Sequence, residues 1–171
     1  MFGRIEIEKY FTAEKRENFL LIVLGEMAIV LATIFFFPLK EAFYQGAGIS
    51  LVLTGLLVCI LKLLCFSRND LLYVDCLYNR EMFPSAFKTE ELPRMKTVIK
   101  QYIISRNITV VLLLCGGFLY CYSCKGLNNG FLSGIGLIIA IMSFIVLILN
   151  LFALRRGNIY LKQLESFTAS K

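Results

Sequence analysis

Histidine and tryptophan are both missing from this chain of 171 residues. Without histidine, no Ser–His or Cys–His pair can serve as a nucleophile, and no pair of helical histidines can hold a metal ion. A glycine-rich phosphate-binding loop is also lacking. The sequence therefore contains no signature of a soluble enzyme, and we predict a non-enzymatic protein with no cofactor and no metal site.

Charge is scarce as well. Charged residues make up 18% of the chain and hydrophobic residues 58%, and the mean hydropathy is +0.73. A soluble domain of this length cannot bury so much apolar surface. We therefore predict that the protein is embedded in a lipid bilayer. The net charge of +6 comes from Lys and Arg near the ends of apolar runs, so no nucleic-acid partner is predicted.

Four apolar runs, at 19–37, 46–66, 108–122 and 131–154, predict four transmembrane helices. The predicted fold is all-α, an integral membrane four-helix bundle made of two transmembrane hairpins with cytoplasmic amphipathic helical extensions. The predicted segments are a cytoplasmic or interfacial lead-in helix (1–18), the first hairpin (19–66), a cytoplasmic helical loop (67–107), the second hairpin (108–154) and a cytoplasmic tail (155–171).

The loop 67–107 shows helical patterns of its own. Residues 70–80 predict one short helix that Asn69 or Asp70 caps and that Pro84 interrupts. Thr89 is predicted to cap a second helix, with Glu90 and Glu91 in its positive first turn. This second helix is expected to continue directly into the third span.

The distribution of Lys and Arg predicts the topology. These residues cluster before the first apolar run, between the second and third runs, and after the fourth, whereas the two hairpin turns hold only Lys40 and Lys125. By the positive-inside rule, both termini and the central loop are cytoplasmic. No small-residue cleavage site follows the first run, so we expect this run to be retained.

Glu26 lies about 10 Å inside the first apolar run by helix rise. If the hairpin folds about Tyr44, Glu26 lies opposite Lys62, which predicts a buried ion pair or a protonatable carboxyl. Asn150 and Thr109 lie at comparable depths, and we predict that the four residues form one intramembrane polar cluster. The alternative is that Lys62 extends to the headgroups, Glu26 stays protonated and Asn150 makes ordinary interhelical hydrogen bonds.

A series of small residues in the fourth span predicts a helix-packing face, made of Gly130, Gly134, Gly136, Ala140 and Ser143. Packing inside the bundle is favoured over an oligomer interface. The pattern Gly-x-Gly occurs at Gly46 and again at Gly134, with lysine before it and arginine after it. This echo is compatible with a duplicated hairpin, and also with the outline that any two hairpins share.

Cys121 and Cys124 form a Cys-x-x-Cys pair at the outer end of the third span. The pair and the helix count resemble membrane thiol oxidoreductases of the disulfide-forming and vitamin K epoxide reductase type. Those enzymes need a second outward cysteine pair, and residues 40–45 supply none. A passive disulfide or free thiols is the favoured interpretation of this possible redox pair.

Three short motifs resemble a family of small, uncharacterised bacterial inner-membrane proteins with four spans: Phe43-Tyr44-Gln45-Gly46, Glu91-Leu92-Pro93-Arg94-Met95, and Leu154-Arg155-Arg156-Gly157 with Tyr160-Leu161. The resemblance covers nearly the whole chain and implies a multi-pass protein of the bacterial inner membrane. It assigns no catalytic residue.

Three functions follow as hypotheses. The first is an interaction protein that binds another membrane protein through its spans, such as an immunity protein against a pore-forming or membrane-inserting toxin. The second is a homo-oligomeric membrane effector or channel, with Glu26 and Asn150 lining a path. The third is a thiol oxidoreductase that uses Cys121 and Cys124. The small size and the lack of a catalytic set favour the first.

Overall fold

The computed structural model describes residues 4–37, 39, 41–127 and 129–166. Four α-helices follow one another along the chain: α1 (Arg4–Phe36), α2 (Ala42–Met82), α3 (Pro84–Tyr122) and α4 (Gly130–Glu165). A π-helical turn, Ser123–Leu127, follows α3. All four helices are long and apolar enough to cross a membrane. An all-α fold with four helices of transmembrane length is therefore confirmed.

The helices are longer than a membrane is thick. They contain 33 to 41 residues, and the longest extends roughly 60 Å, about twice the thickness of a hydrocarbon core. Each helix therefore has one part inside the apolar runs and another part that continues beyond them. We call residues 19–66 and 108–154 the spanning half, and residues 4–18, 67–107 and 155–166 the terminal half.

The loop predicted at 67–107 consists of two helix ends rather than separate short helices. α2 continues without a break to Met82. Asn69 therefore caps nothing; it is buried inside α2, where its Nδ2 donates to the carbonyl oxygen of Phe11 at 3.3 Å. The helix continues because Asn69 and Cys76, two turns apart, both face the bundle interior.

α3 begins at Pro84, five positions before the predicted cap at Thr89. Proline is tolerated at the first helical position because its missing N–H has no intrahelical acceptor there. Glu90 and Glu91 consequently lie in the second turn, and Pro93 lies inside the helix. The prediction that this helix continues directly into the third span is confirmed.

α1 packs along α2 and α3 packs along α4, which gives two hairpins that meet mainly through α2 and α4. At this meeting point Gly46 lies against the carbonyl of Phe131, and Gly134 lies against the carbonyl of Phe43. A Cβ atom at either glycine would be 2.1 Å from that oxygen. Position 134 is 88 places after 46, and position 131 is 88 places after 43, so the contact is reciprocal. The two hairpins are therefore related by an approximate two-fold axis.

Other equivalent residues share the same offset of 88 positions. The minor contacts agree with this symmetry, since α1 touches α4 to the same small extent as α2 touches α3. The echo between Gly48 and Gly136 in the sequence thus corresponds to a structural equivalence. Three further pairs are the N-caps Glu41 and Asn129, the buried residues Ile7 and Met95, and the buried residues Cys76 and Leu164.

The bulkiest part of the core lies in the terminal half. Tyr10 and Phe11 of α1 are buried there against the other helices, so the described part of the predicted lead-in, residues 4–18, packs into the bundle. This core brings together side chains from all four helices. Its members are Ile7, Tyr10, Phe11, Cys76, Phe87, Met95, Tyr160 and Leu164.

Candidate functional site

The first hairpin turns near Glu41 rather than at Tyr44, and this changes the neighbours of Glu26. α2 begins at Ala42, so Tyr44 already lies inside the helix. Contacts across the hairpin, such as the one from Cys59 Sγ to the carbonyl oxygen of Ile22 at 3.5 Å, have sequence midpoints close to 41. With that register, Lys62 lies opposite position 20, roughly 9 Å along the axis from Glu26.

Glu26 is exposed on α1, and Lys62 is half-buried on α2. Among the described residues neither side chain forms an ion pair or a hydrogen bond. The predicted pair between them is therefore not formed in this structure, because the register of the hairpin differs from the predicted one. Glu26 instead projects from the surface that the spanning half turns towards lipid.

Asn150 and Thr109 do lie together, as predicted. Asn150 is buried in α4, and its Nδ2 donates to Thr109 Oγ1 at 3.5 Å and to Ser105 Oγ at 3.1 Å, both on α3. The sequence analysis missed Ser105, although its spacing of four residues from Thr109 places the two on one helix face. Of the four predicted cluster residues, the structure joins these two and leaves Glu26 and Lys62 apart.

The small residues of α4 face other helices of the same chain. Gly134 contacts Phe43 of α2, while Gly136 lies against the carbonyl of Gly116 on α3. The same glycine of α3 lies against the backbone of Ala140. Such contacts let the helix backbones approach closely. The remaining members of the predicted face are Gly130, which lies close to Phe43, and Ser143, which is buried.

Cys121 and Cys124 lie at the opposite end of the bundle from the terminal half, at the last turn of α3 and in the π-helical turn. Both are exposed free thiols in this structure. Cys124 Sγ lies 3.1 Å from Ser133 Oγ of α4. This contact fastens the π-helical turn to the start of α4.

The sequence analysis missed a buried polar network in the terminal half. Glu91, whose side chain is 7% exposed, accepts a hydrogen bond from Arg94 Nε at 2.6 Å. Tyr160 of α4 donates to the same carboxylate at 3.2 Å, and its hydroxyl lies 3.7 Å from Cys76 Sγ of α2. The feature of the sequence that could have indicated this network is the spacing of three residues between Glu91 and Arg94, which places both on one helix face.

Cys76 is kept unreactive by this environment. Burial, reinforced by the nearby carboxylate of Glu91, raises the pKa of the Cys76 thiol to about 12. Only the thiolate is a good nucleophile or metal ligand, so at neutral pH Cys76 acts as a core residue.

A second ion pair links α1 to α4. Arg156 Nη2 donates to Glu17 Oε2 at 2.8 Å, and the Arg156 guanidinium lies 5.8 Å from the centre of the Tyr10 ring. One turn earlier, Glu14 accepts a hydrogen bond from Tyr102 at 3.4 Å. Burial raises the pKa of Glu14, although the positive charge of Arg156 opposes the rise.

Two grooves open between the hairpins in the terminal half, one on each side of the two-fold axis. The basic groove, of about 380 Å³, lies between α1 and α4 and carries Lys9, Arg155 and Arg156 in its walls. The acidic groove, of about 120 Å³, lies between α2 and α3 and carries Asp75, Glu90 and Glu91, with Arg94 among them. The two grooves thus carry opposite charge. By the offset of 88 positions they overlap only in part, since Glu6, Tyr160 and Gln163 of the basic groove correspond to lining residues of the acidic groove and the basic residues do not.

No protein-family model, no curated protein and no solved structure matches the chain. The resemblance to small bacterial four-span proteins therefore stays a prediction. The function has to be argued from the geometry described above.

Proposed function

We propose that this is a non-enzymatic integral membrane protein that acts by association of its first span with another membrane-inserted protein. The observation that carries the proposal is the exposed position of Glu26 within the apolar run 19–37. A carboxyl group that forms no ion pair or hydrogen bond with any described residue is suited to form one with a second protein.

The energetic argument rests on the cost of a polar group in lipid. A charged residue at mid-membrane costs roughly 2.5–3.5 kcal/mol on insertion scales. Burial beside a donor on a partner helix, such as a hydroxyl, an amide or a cation, recovers part of this cost. Association at this face is therefore favoured by the removal of Glu26 from lipid.

The surface around Glu26 is suited to a helix. Met27 and Val30 lie next to it and are largely exposed, and Thr33 continues the same exposed side one turn further. The Thr33 hydroxyl already donates to the carbonyl oxygen of Val30, so Glu26 is the polar group on this face that would recognise a partner. A membrane-inserting toxin is the partner class that we propose, which makes the chain an immunity protein.

Co-expression tests this directly. Cells that carry the chain are challenged with candidate membrane-inserting toxins, and a photo-crosslinking amino acid at Val30 reports the contact. We expect protection and a crosslink to the toxin with the unaltered chain, and loss of both with Glu26→Leu. The matched control is Lys62→Leu, which removes a charge from the spanning half outside this face.

Self-assembly is the second candidate function and is separated in the same experiment. A crosslink from Val30 to a differently tagged second copy, with no crosslink to any toxin, would replace the proposed partner by the chain itself. A crosslinker at Leu57, exposed on α2, serves as the control position. Equal crosslinking from both positions, or full protection by Glu26→Leu, would contradict the proposal.

We also propose that both termini face the cytoplasm, in a bacterial inner membrane. The support is the concentration of Lys and Arg in the terminal half, against Lys125 at the other end of the described bundle. A membrane-impermeant maleimide tests this orientation on whole cells. We expect it to label Cys121 and Cys124, both exposed, and to lose that labelling in the Cys121→Ser/Cys124→Ser chain. Labelling only after the cells are opened would reverse the orientation.

A further inference from the structure

The basic groove between α1 and α4 is built differently from the symmetry-related surface between α2 and α3. By the offset of 88 positions, Thr97 corresponds to Lys9, and Ser67 corresponds to Arg155. Two cations on one side of the axis are thus replaced by two small hydroxyl residues on the other. The overall fold does not require these cations, because the equivalent helix crossing forms without them.

The cations of the basic groove have donors to spare. Lys9 and Arg155 make no hydrogen bond or ion pair with any described residue. Arg156 is paired with Glu17, yet its buried Nε finds no acceptor among the described residues. Among the described residues that line this groove, Glu6 is the acidic one. The groove therefore remains positive after its internal pairs are counted.

In the acidic groove, a side chain of the protein itself lies among the residues of opposite charge. There the guanidinium of Arg94 lies among the carboxylates and binds Glu91. The residue at the position equivalent to Arg94 is Glu6, so no side chain of the same kind can fill the basic groove.

The basic groove also opens towards the membrane. Phe152, in the last turns of the fourth apolar run, forms its upper wall and is 61% exposed. Arg155 follows Leu154, the last residue of that run, and so lies at headgroup level. The wall continues below with Ile159, and Lys9 lines the opposite side. A molecule with an apolar tail in the bilayer and a negative group at its surface fits this arrangement.

We propose that the basic groove binds an anionic phospholipid from the surrounding leaflet. Its phosphate and headgroup would lie between Lys9 and Arg155, and its acyl chain would run along Phe152. Basic pockets between transmembrane helices are suited to acidic lipids because the charge is complementary and the lipid arrives from the side. The site is independent of the Glu26 face, which lies in the spanning half of α1.

The absence of tryptophan from the chain makes the site measurable. Phe152→Trp places a single indole in the upper wall of the groove. Leu64→Trp places one at the symmetry-related position, which is 62% exposed. Each chain is reconstituted in phosphatidylcholine vesicles that contain brominated phosphatidylglycerol or brominated phosphatidylcholine, and quenching of the indole is compared.

We expect brominated phosphatidylglycerol to quench F152W more strongly than brominated phosphatidylcholine does, with no such preference in L64W. Adding Lys9→Gln or Arg155→Gln to F152W should reduce the preference about fivefold for each cation removed, the fold-change given by ~1 kcal/mol per basic residue. Arg155→Lys should retain it, which separates loss of charge from loss of folding. Circular dichroism checks that each chain remains helical.

Several results would overturn the proposal. Equal quenching of F152W by the two lipids would show that the groove has no preference for an anionic headgroup. The same preference in L64W would assign the effect to general attraction of acidic lipid to a basic protein. Loss of the preference in millimolar inorganic phosphate would identify the occupant as a soluble anion rather than a lipid.

Discussion

The spanning half and the terminal half belong to the same four helices, yet they are packed by opposite means. In the spanning half glycines such as Gly55, Gly116 and Gly134 bring backbones into contact, while large residues such as Phe118 point outwards. In the terminal half large side chains such as Tyr160 and Phe87 are fully buried. Among the described residues, both ion pairs with a buried carboxylate, Glu91–Arg94 and Glu17–Arg156, belong to this half.

This difference in packing is expected when one part of a helix is surrounded by lipid and the other by water. In water, burial of bulky apolar side chains drives helices together. In lipid that driving force is absent, because acyl chains are as apolar as leucine, and close backbone contact between small residues takes its place. The packing therefore changes along each helix between the apolar runs and the parts beyond them, and this change is independent of the charge distribution from which the topology was predicted.

The largest expected effect comes from a substitution that obstructs the close backbone contact between the hairpins. Gly134→Leu would place its Cβ atom 2.1 Å from the carbonyl oxygen of Phe43, and a backbone atom cannot move aside as a side chain can. We expect a loss of more than about 3 kcal/mol in the free energy of unfolding, beyond the usual cost of overpacking. The measurement is unfolding in mixed detergent micelles, followed by circular dichroism.

The control for this substitution is Gly117→Leu. A Cβ atom at Gly117 would meet nothing within 4 Å, so the same change in residue volume is expected to leave stability almost unaltered. Equal losses at both glycines would mean that leucine acts through helix propensity or insertion. The contrast between backbone packing and side-chain packing would then fail.

The next effect belongs to the terminal half. Arg94→Met removes the partner of the buried Glu91 carboxylate, which is expected to cost about 3–5 kcal/mol. The double variant Arg94→Met/Glu91→Gln should recover much of this loss, because no uncompensated charge then remains. Lys15→Met, which breaks the exposed pair with Asp70, should cost only about 0–1 kcal/mol. A double variant as unstable as Arg94→Met would show that packing of the arginine stem, rather than charge, is responsible.

Helix positions and fold class could be predicted from the sequence because hydropathy reports directly on the solvent around a helix. The continuation of α3 into the third span was predicted for the same reason. The register of the first hairpin was not, because it depends on where the turn lies. A turn at Glu41 instead of Tyr44 moves Lys62 away from Glu26.

The terminal core was also missed, although its residues are plain in the sequence. Asn69 and Glu91 were interpreted through local capping rules, and these rules favour a helix start at each place. Burial of Asn69 and Glu91 against other helices decided the outcome instead. Local rules cannot predict this, since the partners Phe11 and Tyr160 lie 58 and 69 positions away.

A smaller effect is expected for the polar contact inside the spanning half. Asn150→Leu removes the hydrogen bonds to Ser105 and Thr109. Interhelical hydrogen bonds in membranes average only ~0.6 kcal/mol, because the alternative state also finds partners. Lys62→Leu, at the symmetry-related position, is the control and should cost no stability, since no described residue pairs with it. A loss at Asn150 comparable with that at Arg94 would show that both halves depend equally on polar contacts.

The smallest effect concerns Glu14 and its dependence on pH. Burial raises the pKa of this carboxyl in the folded protein above its ordinary value of 4.5. The folded state therefore holds the proton more tightly, so this contribution to stability is complete below pH 4.5 and is lost as the pH rises through the folded pKa. Glu14→Gln should remove that loss. The stability of the variant should therefore rise relative to that of the unaltered chain as the pH increases from acidic to neutral. Tyr102→Phe removes the hydroxyl that donates to the carboxylate and should steepen the decline instead. Unfolding measured at several pH values separates the two, and identical slopes in all three chains would mean that Glu14 is hydrated in the folded bundle.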